Sequence, residues 1–202
     1  MSNDLLLMLV IMNPFAQTLY LSKLMTETTW RQFSGIYLQG TLLTYIICLL
    51  CALLGEFVIF TVFQVTLPAM RVFGGLINLQ LAYSYVMKGP EGVKLVHGNI
   101  NEMAQQIALP IMVGAGVVWI SMRIGRIYPP LEAAMIIGAA LAINFALVSG
   151  YQALSQSARG NFKLVLAKYF GIAMRFNALL IGAVSIQMIL GGIREFMVET
   201  PS

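Results

Sequence analysis

Apolar residues in this chain form long stretches that charged residues rarely interrupt. Six of these stretches come close to the roughly 20 residues that a helix needs to cross about 30 Å of hydrocarbon. Backbone groups in lipid must be paired within the protein, and single glycine-containing spans favour helices over barrel strands. The pattern therefore predicts six transmembrane helices, at about residues 5–22, 32–55, 68–87, 103–122, 132–152 and 173–193.

A further apolar stretch, residues 57–67, is too short to form a full span. It follows Glu56 and continues toward Arg71 without a charge. Such a length is typical of a half-helix, a re-entrant piece or an interfacial segment. The alternative is a seventh span, which would move the C-terminus to the opposite side of the membrane.

One three-residue sequence occurs twice. Ala69-Met70-Arg71 and Ala173-Met174-Arg175 lie 104 residues apart, and the same offset relates Leu76-Ile77 to Leu180-Ile181. An arginine within an apolar run costs a few kcal/mol to insert. Two arginines at equivalent places therefore indicate an internal duplication, with chance identity in a Leu-rich sequence as the alternative.

The duplication predicts how the chain is organised. We expect one membrane domain, residues 1–202, in which residues 1–90 and 103–194 are two repeats. Each repeat would contain three spans. Because three is an odd number, the second repeat would be inverted relative to the first, as in many secondary transporters.

The composition agrees with a membrane protein. Of the 202 residues, 59% are hydrophobic and only 10% are charged. A soluble domain carries roughly 25% charged residues. The formal net charge of +4 is small, and Lys and Arg form no long run, so the sequence indicates no nucleic-acid partner. The expected surroundings are a lipid bilayer.

Basic residues in the connections predict the orientation. With six spans, the connections near residues 23–31, 88–102 and 155–168 share one side, which carries seven basic residues against four on the other. By the positive-inside rule, the first side is cytoplasmic, and both termini lie on the outer side of the cell membrane. The seven are Lys23, Arg31, Lys88, Lys94, Arg159, Lys163 and Lys168, and the four are Arg71, Arg123, Arg126 and Arg194.

The first span of each predicted repeat is interrupted. Asn13-Pro14 interrupts the first span, because proline lacks an N–H donor and clashes with the preceding turn. The fourth span has Pro110 and then Gly114-Ala115-Gly116, where a helix is also weak. Paired interruptions indicate a midplane substrate site, because half-helix ends expose N–H and C=O groups. For either break alone, ordinary kinking or packing is the alternative.

Other residues of the spans allow two interpretations. Gly74-Gly75 lets another backbone approach closely, which suits either helix packing or the crossing of two broken helices. Asn144 is expected to make an interhelical hydrogen bond. Arg71 and Arg175 either extend to the lipid headgroups or hold a loop or a helix end as part of a gate.

Residues for enzyme chemistry are sparse in this sequence. His97 is the only histidine, and no Ser/His/acid set, metal cluster or phosphate-binding glycine loop is evident. Cys48 and Cys51 lie in an apolar span without further ligands, so we interpret them as small apolar residues. No acidic residue lies in the middle of a span. We expect no enzyme, no cofactor and no metal site.

Four motifs in this order resemble the MarC family, which includes the SnatA-type small neutral amino acid transporters, over essentially the whole chain. The family patterns are Asn-Pro, F-R-x-x-G-G, P-L-x-x-G-P-G and Q-M-I-x-x-G. They match Asn13-Pro14, Met70 to Gly75 with the first aromatic changed, Pro110 to Gly116, and Gln187 to Gly192, which follows Arg175 in the last span.

The resemblance implies an all-α membrane fold with two inverted three-helix repeats. It also implies transport of small neutral amino acids such as glycine and alanine, coupled to protons. Departures from the family pattern also occur at the breaks: Ala16 and Leu19 replace a Gly and a second Pro, and Ala115 replaces the Pro of Gly-Pro-Gly. These changes make the breaks milder and leave the substrate preference open.

We therefore predict a secondary active transporter of glycine, alanine or serine that alternates about a midplane site. The coupling ion is expected to be a proton, with sodium as the alternative. A passive channel or facilitator and a membrane subunit without transport are the rival hypotheses. The direction of transport and association into a homo-oligomer stay open. The substrate-binding candidates are Asn13, Pro14, Phe15, Gly114, Ala115, Gly116, Gly74 and Gly75, and the gating or structural candidates are Arg71, Arg175 and Asn78.

Overall fold

All regular secondary structure in the described part of the chain is helical. The computed structural model describes residues 2–57, 66–88, 105, 107–157 and 161–199. These residues form eight α-helices and one short π-helical segment, Ile107–Met112, which we call the π segment. The α-helices are α1 (Ser2–Met12), α2 (Pro14–Tyr20), α3 (Ser22–Glu27), α4 (Trp30–Phe57), α5 (Leu67–Lys88), α6 (Ala115–Ile127), α7 (Pro130–Ser157) and α8 (Asn161–Glu199).

Three of these helices are long and apolar enough to cross a bilayer. Their spans, found among the described residues, are Trp30–Gly55, Pro130–Ser157 and Gly171–Val198. Large apolar side chains cover their outer faces, and on α4 Leu42 and Ile46 are each 54% exposed. Such a surface is unfavourable in water and favourable in lipid hydrocarbon. The protein is therefore a multi-pass helical membrane protein.

The helix boundaries differ from the predicted spans mainly where charged residues occur. α4 and α5 begin and end within two residues of the predicted 32–55 and 68–87. By contrast, α8 begins twelve residues before the predicted start at 173, because no proline interrupts the chain there. Its 39 residues extend about 58 Å, longer than the hydrocarbon is thick. Most of the predicted half-helix, at residues 58–65, lies outside the described residues.

The first predicted span, residues 5–22, is divided among three helices. α1 and α2 meet at Asn13, and α3 begins after Leu21 and continues into the predicted connection at 23–31. Burial explains this extension. Leu24 and Met25 of α3 are buried, and the Gln152 side chain of α7 donates a hydrogen bond of 2.7 Å to the Met25 carbonyl. α3 therefore packs into the protein.

The helices of the first half, α1 to α5, pack mainly against those of the second half, the π segment to α8. The most extensive pair is α5 with α8, and the two run antiparallel. A Cβ added at Gly75 would lie 2.9 Å from the Ser185 carbonyl oxygen, and one at Gly192 would lie 2.8 Å from the Pro68 carbonyl oxygen. Glycine is therefore what allows the two backbones to approach so closely.

Two more pairs of helices run antiparallel across the halves. In the pair α4 and α7, the Tyr45 hydroxyl donates to the Ala134 carbonyl and the Trp30 indole donates to the Ser149 carbonyl, both at 3.3 Å. In the pair α1 and α6, Asp4 pairs with Arg123, and Ile11 lies against Gly116. In both pairs, residue numbers rise along one helix as they fall along the other.

We expect Gly125 to be essential for the packing of α6 on α4. A Cβ there would overlap the Ala52 backbone carbonyl, which cannot move aside as a side chain can. Gly125→Ala should therefore destabilise the protein by about 1–3 kcal/mol. The matched control is Gly150→Ala in α7, where an added Cβ meets nothing within 4 Å. Thermal unfolding in detergent measures both, and equal stability of the two variants would contradict the prediction.

Candidate functional site

The first break lies at Asn13, between α1 and α2. Its φ of 51° is in the left-handed region, which asparagine tolerates better than most residues. Asn13 Oδ1 accepts a hydrogen bond from the Ala16 N–H at 3.1 Å, so the side chain caps the start of α2. Pro14 has no N–H, and the Val10 carbonyl therefore lacks its helical donor. The chain is interrupted at the predicted Asn-Pro.

The second break begins within the π segment, at Leu109, and extends to the start of α6. Leu109 has an extended backbone with φ −130° and ψ 120°, as expected for a residue before proline. The Val113 N–H then bonds the Ala108 carbonyl at 2.9 Å, which leaves a turn one residue wider than in an α-helix. Gly114 is extended and begins α6 without a side-chain cap. The predicted Pro110 and Gly114 therefore both contribute to this break.

The two breaks lie next to each other, and α5 and α8 cross them. A Cβ on Gly116 would lie 2.9 Å from the Ile11 side chain, so α1 contacts the start of α6. On α5, a Cβ on Gly74 would lie 3.2 Å from the backbone of Ala115 and Gly116. From α8, the Asn177 side chain donates a hydrogen bond of 2.7 Å to Asn13 Oδ1. Both half-helix ends therefore meet at one centre.

Two buried amide nitrogens at this centre lack an acceptor among the described residues. They are Nδ2 of Asn13 and Nδ2 of Asn78, whose residues are 4% and 8% exposed. Asn78 Nδ2 lies against Gly116, at the place where a Cβ would be. A buried donor without a partner costs about 1–3 kcal/mol, so native proteins rarely keep one without a reason.

The structure brings most of the predicted site residues together, but not all of them. Gly74, Ala115 and Gly116 meet at the second break as described, and Pro14 is buried and Phe15 half-buried beside the first. Gly75 instead faces Ser185 and Ile189 of α8. Asn177, which is not among the predicted site residues, also lies at this centre, and its neighbour Ala178 is related to Gly74 by the 104-residue offset.

A second buried polar cluster lies one turn beyond the first break. Gln17 Oε1 accepts hydrogen bonds from the Tyr37 hydroxyl at 2.5 Å and from Asn144 Nδ2 at 3.1 Å. Asn144 Nδ2 also donates to the Tyr37 hydroxyl, and Gln17 Nε2 donates to the Met12 carbonyl at the break. The predicted interhelical hydrogen bond of Asn144 is confirmed. Gln17 and Tyr37 were missed, because isolated polar residues in a span give no pairing signal.

Charged side chains pair at one end of the helix bundle. Asp4 of α1 is buried, pairs with Arg123 of α6, and accepts a hydrogen bond from the Tyr128 hydroxyl at 2.8 Å. Arg71 of α5 pairs with Glu195 of α8 and lies 5.1 Å from the centroid of the Trp119 ring, close enough for a cation–π contact. Trp119 and Arg123 are one turn apart on α6, so the two ion pairs are neighbours.

The two repeated arginines have different surroundings. Among the described residues, Arg71 pairs with the Glu195 carboxylate and lies over the Trp119 ring. Arg175 is exposed on α8. In the described residues, no group of three His, Cys, Asp or Glu side chains could hold a metal ion, and both cysteines are free thiols.

These features define a class of protein: a polytopic membrane protein with two broken helices that meet at an uncharged polar centre. Comparison with known families narrows this class. The model of the MarC family, described as integral membrane proteins, matches residues 1–197. The chain therefore belongs to the MarC family, as its four motifs indicate. No curated protein and no solved structure matches the chain.

We expect the hydrogen bonds of Gln17 and Tyr37 to be energetically coupled. Gln17→Leu leaves the Met12 carbonyl without its donor and should cost about 1–3 kcal/mol. Combined with Tyr37→Phe, the total loss should be smaller than the sum by about 0.5–1.5 kcal/mol. Gln187→Leu on the exposed face of α8 is the control and should change stability by less than about 0.5 kcal/mol. Strict additivity in denaturant unfolding would argue against the shared bond.

Proposed function

We propose that this protein is a secondary active transporter of small neutral amino acids, of the glycine, alanine and serine type. It would lie in the cell membrane with both termini outside and alternate about the centre where the two helix breaks meet. Proton coupling is the form we favour. The observation that carries the proposal is the meeting of two half-helix ends with buried, unpaired amide donors. Paired interruptions of this kind are how many secondary transporters hold substrate.

Antiparallel helix pairs support two inverted repeats of three spans. The equivalent spans in the two halves would be α1 to α3 with the π segment and α6, α4 with α7, and α5 with α8. In each pair, helices that lie in contact run antiparallel. Repeats related by an axis along the membrane normal would instead have parallel equivalents. An axis in the membrane plane gives the observed directions.

The contacts at the breaks support the same symmetry. Gly74 of α5 crosses the break in the second half, and Asn177 of α8 crosses the break in the first half. The offset of 104 residues relates Gly74 to Ala178, the residue next to Asn177. Exchange of the two halves would bring one crossing close to the other, which supports a shared centre on the proposed symmetry axis.

An uncharged centre suits a zwitterion. The N-terminus of α6 exposes N–H groups and a partial positive charge, while the break at Asn13 frees the Val10 carbonyl. A carboxylate and an ammonium group can therefore both be bound without a charged side chain. Gly74, Ala115 and Gly116 let the helices pack closely at the centre. The space left between the helices is small, which favours small substrates.

The ion pairs support a gate at one end of the bundle. Arg71 and Glu195 join α5 to α8, and Asp4 and Arg123 join α1 to α6, so each pair links the two halves. We propose that these pairs close this end in the state described here. Arg175, related to Arg71 by the repeat, would act at the opposite end. The same offset relates Glu195 to Glu91, a residue outside the described part of the chain.

Purified protein in liposomes should transport glycine, alanine or serine. We expect saturable counterflow, and accumulation when a proton gradient is imposed. Gly114→Leu should abolish flux, because a Cβ at Gly114 meets nothing within 4 Å and the side chain would fill that space. Gly150→Leu, equally free of contacts, is the control. Absence of binding and transport under any ion gradient would refute the proposal, and equilibration without accumulation would indicate a passive facilitator.

Charge exchange tests the proposed gate. Arg71→Glu brings two carboxylates together and should change the exchange rate by at least about tenfold, since opposing like charges cost several kcal/mol. Adding Glu195→Arg restores opposite charges and should recover part of the wild-type rate. Glycine binding in detergent serves as the control for an intact centre. If the double variant were no closer to wild type than Arg71→Glu alone, this ion pair would not gate transport.

A further inference from the structure

The N-terminus of α6 is the strongest source of unpaired donors at the centre. α6 has 13 residues. Its Val117 and Val118 N–H groups bond the Gly114 carbonyl, whereas the N–H groups of Ala115 and Gly116 have no partner in the helix. The residue before it is Gly114, which has no side chain to act as a cap. Helix N-termini carry a partial positive charge and bind anions readily. A free N-terminus alone, however, does not make a binding site.

Asn78 gives an independent indication of a ligand. It lies on α5, is 8% exposed, and holds its Nδ2 against Gly116 in the first turn of α6. This nitrogen has no acceptor in the described structure. Gly116 is necessary for the arrangement, because a Cβ there would overlap Asn78 Nδ2. The structure thus places the buried amide donor of Asn78 beside the N-terminus of α6, which itself offers N–H donors.

Asn13 offers a third donor whose orientation is fixed. Its Oδ1 accepts from the Ala16 N–H and from Asn177 Nδ2, at 3.1 and 2.7 Å. Rotating the amide by 180° would turn its NH2 group toward the Ala16 N–H, so the opposite orientation is unfavourable. The Nδ2 of Asn13 is therefore a true donor, 4% exposed as a residue and without an acceptor in the described part of the chain.

Space for a ligand exists at the same place. A Cβ added at Gly114 would meet nothing within 4 Å, although Gly114 lies in the interruption between the π segment and α6. Gly74 and Ile11 bound the neighbouring turn of α6 from two sides. The open space beside Gly114 therefore adjoins the turn of α6 that Asn78, Gly74 and Ile11 contact.

We infer that the N-terminus of α6, with Asn78 Nδ2 and Asn13 Nδ2, forms a subsite for the carboxylate of the substrate. Donors without acceptors select an anion or a carbonyl oxygen, and a carboxylate can accept from several N–H groups at once. The inference rests on the proposed transport of amino acids. It adds that the α-carboxylate is bound at this half-helix, and that Asn78 discriminates in its favour.

Binding of glycine and glycinamide to the purified full-length protein tests the subsite. Glycinamide keeps the ammonium group but replaces the carboxylate by a neutral amide. Wild-type protein should bind glycine at least about tenfold more tightly, because hydrogen bonds to a charged group are the stronger ones. Asn78→Leu keeps the side-chain size, removes the donor and should lose most of this preference. Gln80→Leu, on the exposed face of the same helix, should keep it.

A second variant keeps the test decisive if Asn78→Leu does not fold. Asn13→Asp retains an oxygen for Ala16 and Asn177 and therefore the cap of α2, but replaces the donor by an acceptor. It should also lose the preference for glycine over glycinamide. Equal binding of the two ligands by wild type, or an unchanged preference in a folded variant, would overturn the subsite alone. If wild type binds no glycine, alanine or serine, the proposed function fails together with it.

Discussion

Polar groups released by a broken helix must find partners inside the protein, because the surrounding hydrocarbon offers none. This constraint explains the amide side chains around the two breaks. Asn13 caps the helix that follows it, Gln17 satisfies the Met12 carbonyl, and Asn177 binds Asn13 from α8. Because these partners come from separate helices, local irregularity in the backbone determines how those helices pack together.

The distribution of charge follows from the same constraint. An ionised group deep in a membrane protein is costly unless it is paired, whereas an amide offers donors and acceptors at a smaller desolvation cost. The centre accordingly contains asparagine and glutamine. The described ion pairs, Asp4 with Arg123 and Arg71 with Glu195, lie toward helix ends. Contacts at the centre thus depend on the geometry of neutral hydrogen bonds, whereas contacts between the two halves at one end also involve charge.

Local chemistry decided which features the sequence could predict. Proline and glycine act through their own backbone, so the breaks at Asn13-Pro14 and near Gly114 were visible in the sequence. Pairings between distant residues were not: Asn177 with Asn13 and Glu195 with Arg71 are separated by 164 and 124 positions. A charged residue that ends an apolar stretch does not necessarily end the helix. α8, for example, continues through Lys163 and Lys168.

The shortness of α6 has a mechanical consequence. Thirteen residues make a rod of about 20 Å, too short to bend appreciably, with the open space beside Gly114 at one end. Trp119, which contacts Arg71, and Arg123, which pairs with Asp4, both lie on α6. A tilt of α6 at its first turn would therefore displace Trp119 and Arg123 together. Because α6 packs closely on α4 at Gly125, such a tilt would also displace α4.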